Sequence, residues 1–227
     1  MEFMLLFLRD PGVGREVDPA MIEDLRRRGA LLRQVRLADA SAAAVVRVRD
    51  GQAAIREGSA AASEPVLDGF WILDVASRDE ADDIARRCSE GGDGTIELHR
   101  VAWRAQVPDP GGGEPFLFAF RLEPGPRDPD GSRLQRMLDF TEQLKRDGCF
   151  IETAPLAADP PPLRLRRKRD SLVVSDGPFA ETKEGVGGYA LVRLAGRAAA
   201  IELATRYPHA GWGPVEVRAV IEPVAGW

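Results

Sequence analysis

Arg78-Asp79-Glu80-Ala81-Asp82-Asp83-Ile84-Ala85-Arg86-Arg87-Cys88 returns, 119 residues later, as Arg197-Ala198-Ala199-Ala200-Ile201-Glu202-Leu203-Ala204-Thr205-Arg206-Tyr207. Ala81, Ile84, Ala85 and Cys88 stand at i, i+3, i+4 and i+7, one face of a helix, and Ala200, Leu203, Ala204 and Tyr207 repeat that face. Outward from these helices the same shift aligns 57–101 with 176–220 without a gap, pairing Gly58 with Gly177, Gly69 with Gly188, Glu97 with Glu216 and Val101 with Val220. Ala and Gly agree cheaply in such a composition, so the shared periodicity carries more weight than the identities. Upstream, Gly29 matches Gly148, each ending a charged amphipathic segment where a left-handed cap suits glycine. The chain is therefore read as a tandem duplication.

Between the copies, 104–113 ends in Pro108-Asp109-Pro110-Gly111-Gly112-Gly113 and reads as a linker, since no Gly-Lys-Ser/Thr follows to make a phosphate loop. The units are then 1–103 and 114–227. In the second, Phe116, Phe118 and Phe120 alternate as in a half-buried strand, and Leu134, Met137, Leu138, Thr141 and Leu144 make one helix face. A strand over 149–153, a hairpin or bent strand over 163–175, a strand over 188–194, a helix over 197–207 and a strand over 215–221 complete the order βαβ(β)βαβ. The class is α+β. A sheet with two helices on one face needs cover on the other, and two such units can cover each other as a pseudo-dimer.

Apolar residues at 44% and charged residues at 30% are ordinary for a globular chain and exclude long disorder. The apolar run Phe3 to Leu8 is too short to span a membrane or to serve as a cleavable leader between Glu2 and Asp10, so a cytoplasmic protein is expected. Cys88 and Cys149 form no Cys-x-x-Cys or Cys/His cluster, so neither disulfides nor a metal site is expected. A net charge of -5 argues against nucleic acid as a partner. The basic run Arg164 to Arg169 begins with strand-like alternation and reads as protection of an exposed sheet edge.

The least ordinary stretch is Asp176-Gly177-Pro178-Phe179-Ala180-Glu181-Thr182-Lys183-Glu184, followed by Gly187-Gly188-Tyr189 and Gly213-Pro214-Val215-Glu216-Val217-Arg218. In this order these residues resemble the YCII-related proteins of the DGPF type. The resemblance covers roughly 116–221 and reaches the first copy only through the repeat, where Glu57-Gly58-Ser59-Ala60 replaces the tetrapeptide. It implies two tandem ferredoxin-like units packed sheet to sheet as a pseudo-dimeric α+β barrel, the first unit degenerate. On activity it implies little: some relatives are proposed to use a His and an Asp in lyase chemistry, and no His stands in the matching context here.

Asp176, Glu181 and Lys183 are the candidate acid, base and cation, although Asp-Gly-Pro is also turn chemistry and a Glu/Lys pair after a turn is commonly a solvated face. Strand parity supplies a second set. If Val215, Val217 and Ala219 face the helices, Glu216 and Arg218 face the shared interior, as do Glu97 and His99 in the first copy. Four polar groups buried together make a ligand site or a set of internal salt bridges. Phe70, Tyr189 and Trp212 suit an apolar cavity wall or the core, and His209 is a loop candidate. The expected function is binding of a small organic, carboxylate-bearing metabolite, with lyase- or isomerase-type proton transfer and no cofactor. The competing expectation is a non-catalytic ligand-binding, regulatory or partner-binding module. Beyond the internal pseudo-dimer, the reading leaves room for a further homodimer. Because the first copy carries Glu57, Ala62 and Glu64 where the motif has Asp176, Glu181 and Lys183, one charge deleted and one reversed, one site per chain is expected.

Overall fold

The computed structural model describes residues 1–10, 16–58, 65–123, 131–176 and 185–224. The first unit runs β1 (Glu2–Arg9), α1 (Pro19–Arg27), β2 (Leu31–Leu37), β3 (Ala44–Arg49), β4 (Gln52–Glu57), β5 (Val66–Asp74), α2 (Arg78–Ser89) and β6 (Gly94–Arg100). After a short β7 (Ala105–Gln106), the second repeats the order as β8 (Glu114–Arg121), α3 (Ser132–Arg146), β9 (Phe150–Pro155), β10 (Leu163–Lys168), β11 (Ser171–Asp176), β12 (Val186–Leu194), α4 (Arg197–Arg206) and β13 (Val215–Val224).

Local chemistry sets the helix ends. Asp18 accepts from the Ala20 amide with Pro19 opening α1. Ser77 caps α2 by accepting from the Glu80 amide at 3.2 Å, while the Glu80 carboxylate accepts from the Ala76 amide at 3.0 Å, an arrangement close to a capping box. Gly29 and Gly148 follow α1 and α3 at φ 69° and 67°, where a side chain would be strained. No described helix is long and apolar enough to cross a membrane.

Each unit builds an antiparallel sheet, β6-β1-β5-β2 and β13-β8-β12-β9. Helices α1 and α2 bury Met21, Leu25, Ala81, Ile84 and Cys88 against Phe3, Leu5, Ile96 and Leu98 on one outer face. Leu144, Ala200, Leu203, Ala204 and Tyr207, from α3, α4 and the end of α4, cover Phe116, Phe118, Val215 and Val217 on the other. Between the sheets lies a third core in which Met4, Leu6, Val35 and Ile72 of the first unit meet Leu117, Ile151 and Leu191 of the second. The molecule is thus layered helix, sheet, sheet, helix, each unit covering the other's inner face.

The hairpins are exchanged. Hairpin β10–β11 of the second unit extends the first unit's sheet, pairing Leu163 with Leu98 and Leu165 with Ile96. Reciprocally, β3–β4 of the first unit extends the second's, pairing Val46 with Val215 and Ala44 with Val217. This corrects the edge reading of the basic run: β10 lies between β6 and β11, so β11 is the edge and Arg164 turns into the molecule, where it is buried. Segment 104–113 is tied down as well. Strand β7 pairs with β9, and Asp109 accepts from Arg193 Nε at 2.6 Å.

Candidate functional site

Alternation along β6 and β13 sorts their side chains between two environments. Ile96 and Leu98, like Val215 and Val217, enter the helix-side cores, which turns Glu97, His99, Glu216 and Arg218 toward the space between the sheets. The two ends are then completed differently.

At β13 the charges are closely bound. Arg121, at the end of β8, donates from Nε to Glu216 at 2.9 Å, and Arg218 Nη1 donates to the other carboxylate oxygen at 3.1 Å. Arg218 also donates to the Leu67 carbonyl at 2.8 Å and to the Ala38 carbonyl, stitching β13 to the first unit. Glu216 and Arg218 are each 1% exposed.

At β6 the bonding is looser. His99 Nε2 lies 3.1 Å from Glu97, and Arg164, lent by β10, approaches the same carboxylate with Nε at 3.4 Å. That buried Nε makes no hydrogen bond among the described residues. Burial raises the Glu97 pKa, but the hydrogen bond and charge of His99, with the charges of Arg164 and Arg121, outweigh it and hold the carboxyl below its usual range. Glu97 is ionised at neutral pH. The influence of Arg121 on Glu97 brings the two ends into one electrostatic neighbourhood. Register places Val45 where the other hairpin has Arg164, and Leu8 where β8 has Arg121, so the halves are not equivalent.

Asp176 closes β11 opposite Leu163, which in turn pairs with Leu98, so two strand spacings of about 4.8 Å separate its backbone from the His99 end of β6. At the far end of the motif, Val186 opens β12 opposite Arg121. Asp176 therefore ends a strand on the Glu97 and His99 side, and Val186 begins one on the Arg121 and Glu216 side. The Asp176 side chain, Glu181 and Lys183 lie outside the described residues, as do Ala62 and Glu64 of the first copy.

The remaining candidates stand outside the Glu97, His99 and Arg164 group. Tyr189 packs at a tilt against Phe70, ring centroids 4.7 Å apart, inside the inter-sheet core, and its hydroxyl donates to Glu152. Burial and then the Glu152 charge push its pKa well above the ordinary phenol, so it remains protonated. Trp212 stands outside the inter-sheet core that holds Phe70 and Tyr189: its indole donates to His209 Nδ1 at 3.1 Å, and Arg133 lies over its ring. The cause is the 3-10 turn Pro208–Gly211, which carries both residues to the helix side of the sheet.

With Nδ1 accepting, His209 Nε2 holds the proton and donates to the Arg121 carbonyl at 2.9 Å. Burial depresses its pKa. In the unfolded chain the imidazole takes a proton near its ordinary value, about 6.5. His209 therefore contributes stability in full above that pH and loses it as pH falls through the lower folded value. Denaturant unfolding of His209→Gln is expected to show a shallower loss of stability below neutral pH than the wild-type chain.

A second buried network escaped the sequence reading. Arg33 on β2 donates from Nη2 to Glu152 on β9 at 2.8 Å, and Arg104 Nη1 donates to the same oxygen at 3.0 Å while binding Glu2. Beside it an open cleft of about 300 Å³ is lined by Glu2, Val101, Ala102, Trp103, Arg104 and Gln106. Opposite charges at positions 33 and 152, one repeat length apart, were the available signal. Among the described residues no cluster of His, Cys, Asp and Glu suits a metal ion.

A family model, the YCII-related domain, matches residues 1–103 and again 117–223. A search of curated proteins found no match.

Proposed function

The chain belongs to the YCII-related family, matched by each of its two units in turn, and from that premise we propose that it binds one small carboxylate-bearing metabolite between its sheets. The ligand lies at the Glu97/His99/Arg164 end, where Asp176 closes β11 and opens the Asp-Gly-Pro-Phe tetrapeptide that aligns the chain with the DGPF type. The observation that carries this reading is Arg164. A buried guanidinium costs several kcal/mol unless it is well paired, and this one has a 3.4 Å approach to Glu97 and an Nε with no hydrogen bond among the described residues. A ligand carboxylate offers the missing acceptor. Glu216, Arg121 and Arg218 bind one another and backbone carbonyls and act as structure.

Proton transfer falls to His99. Ionised Glu97 holds a proton on His99 Nε2, leaving Nδ1 as the basic nitrogen, and stabilises the imidazolium once a substrate proton has moved. Glu181 and Lys183 are the motif's own candidates for base and cation. This is acid-base equipment of the kind a lyase or isomerase uses. Cys88 and Cys149, not joined to each other, suit a reducing compartment such as the cytoplasm.

Thermal unfolding in the presence of a series of two- to six-carbon mono- and dicarboxylates tests the proposal. At least one is expected to raise the Tm of the wild-type chain and to bind Arg164→Met about 10- to 100-fold more weakly, the worth of a charged hydrogen bond. Equal stabilisation of both proteins, or of neither by any carboxylate, contradicts it.

A further inference from the structure

In a twofold dimer of identical units, a residue on the axis meets its own copy. This chain has two such contacts. Arg33 and Glu152 are one repeat length apart and occupy the same register, Arg33 opposite Ile72 and Glu152 opposite Leu191, themselves repeat partners. Their side chains are 2.8 Å apart, 3% and 0% exposed. Phe70 and Tyr189 are likewise repeat partners, opposite Val35 and Ala154, and their rings pack against each other. Both pairs therefore mark the pseudo-twofold axis, and at both the two copies carry different residues.

Homotypic pairing reads differently at the same place. Two first units would bring Arg33 against Arg33, and two second units Glu152 against Glu152 beside two tyrosines. Like charges buried at contact distance repel in a medium where the charges have also lost their water. Only the mixed pair neutralises both charges, and only the mixed pair lets the Tyr189 hydroxyl donate to a carboxylate whose other oxygen is held by Arg33 and Arg104.

We infer that Arg33 and Glu152 form a heterotypic lock: each unit fits the other unit of the duplication and rejects a second copy of itself. The duplication thereby holds a pairing that two identical units cannot make. The lock acts independently of any ligand, lying with the axis residues Phe70 and Tyr189 rather than with Glu97 and His99.

The test uses the full chain. Arg33→Glu recreates the acidic homotypic axis, Glu152→Arg the basic one, and the double variant inverts the mixed pair. Each single change is expected to lower Tm by about 10 °C, the usual effect of stranding a buried charge in a chain of this size. The double variant is expected to recover at least half of that loss, short of the whole because Arg104 then faces an arginine. If the singles are insoluble, recovery of folded, soluble double variant reads the same coupling. Singles within about 2 °C of wild type, or a double variant no better than the worse single, overturn the lock and leave Arg33 and Glu152 as individually placed core residues.

Discussion

Gly69→Ala is expected to lower Tm by about 10 °C, because overpacking against an immovable obstacle sits at the upper end of its usual cost of about 1–3 kcal/mol. The obstacle is backbone. A Cβ at Gly69 would fall inside 3.0 Å of the Val35 carbonyl oxygen, with the Val35 carbonyl carbon and Arg36 Cα close behind at 3.3 and 3.4 Å. No rotamer relieves such a contact; β2 and β5 must separate. The repeat partner Gly188 meets the Ala154 oxygen at 2.9 Å and Pro155 Cα at 3.1 Å, a milder version of the same approach. Gly188→Ala is accordingly expected to cost less than Gly69→Ala. Gly211→Ala, with nothing within 4 Å of the added carbon, is the control and should change Tm little. Thermal unfolding of the three variants checks the order.

Arg218→Met is the second large effect, expected to cost about 3–5 kcal/mol in denaturant unfolding, the range for removing one partner of a buried ion pair. The substitution removes a ligand of Glu216 and leaves the Leu67 and Ala38 carbonyls without the donors that bind them. Arg121 remains on Glu216 and keeps the loss toward the lower end. Lysine is a poor rescue, because a single ammonium cannot reproduce the guanidinium fork that reaches carboxylate and two carbonyls at once. The contrast is Arg197 with Glu57, an ion pair between the units whose side chains are 44% and 69% exposed. Arg197→Met is expected to cost below about 1 kcal/mol.

The duplication was legible because it is written in local signals. Helical periodicity at Ala81, Ile84, Ala85 and Cys88, capping glycines at 29 and 148, and period-two alternation at Phe116, Phe118 and Phe120 each depend on neighbours a few residues away. Parity likewise sent Glu97, His99, Glu216 and Arg218 inward. The exchanged hairpins were not legible, since a strand's choice of partner is a long-range decision that its own residues barely encode. Strand β4, exposed at every position, has no alternation to betray it. Arg164 was hidden for the same reason: its alternating run specifies two faces, and only the pairing of β10 with β6 decides that one of them looks at Glu97. Trp212 was hard to place because a single 3-10 turn lies between it and α4, and turns of that kind reset which face a residue reaches. Arg33 and Glu152 each look like an ordinary charge on a strand; their meaning lies in their being one repeat length apart.

Native mass spectrometry of the freshly purified full chain tests most directly whether one carboxylate is held by Arg164 beside Glu97 and His99. The account predicts a single small anionic molecule per chain, absent from Arg164→Met and retained by Glu57→Ala and Glu64→Ala, substitutions at the first copy's counterparts of Asp176 and Lys183. Two bound molecules per chain, or the same occupancy in Arg164→Met as in the wild-type chain, would contradict it.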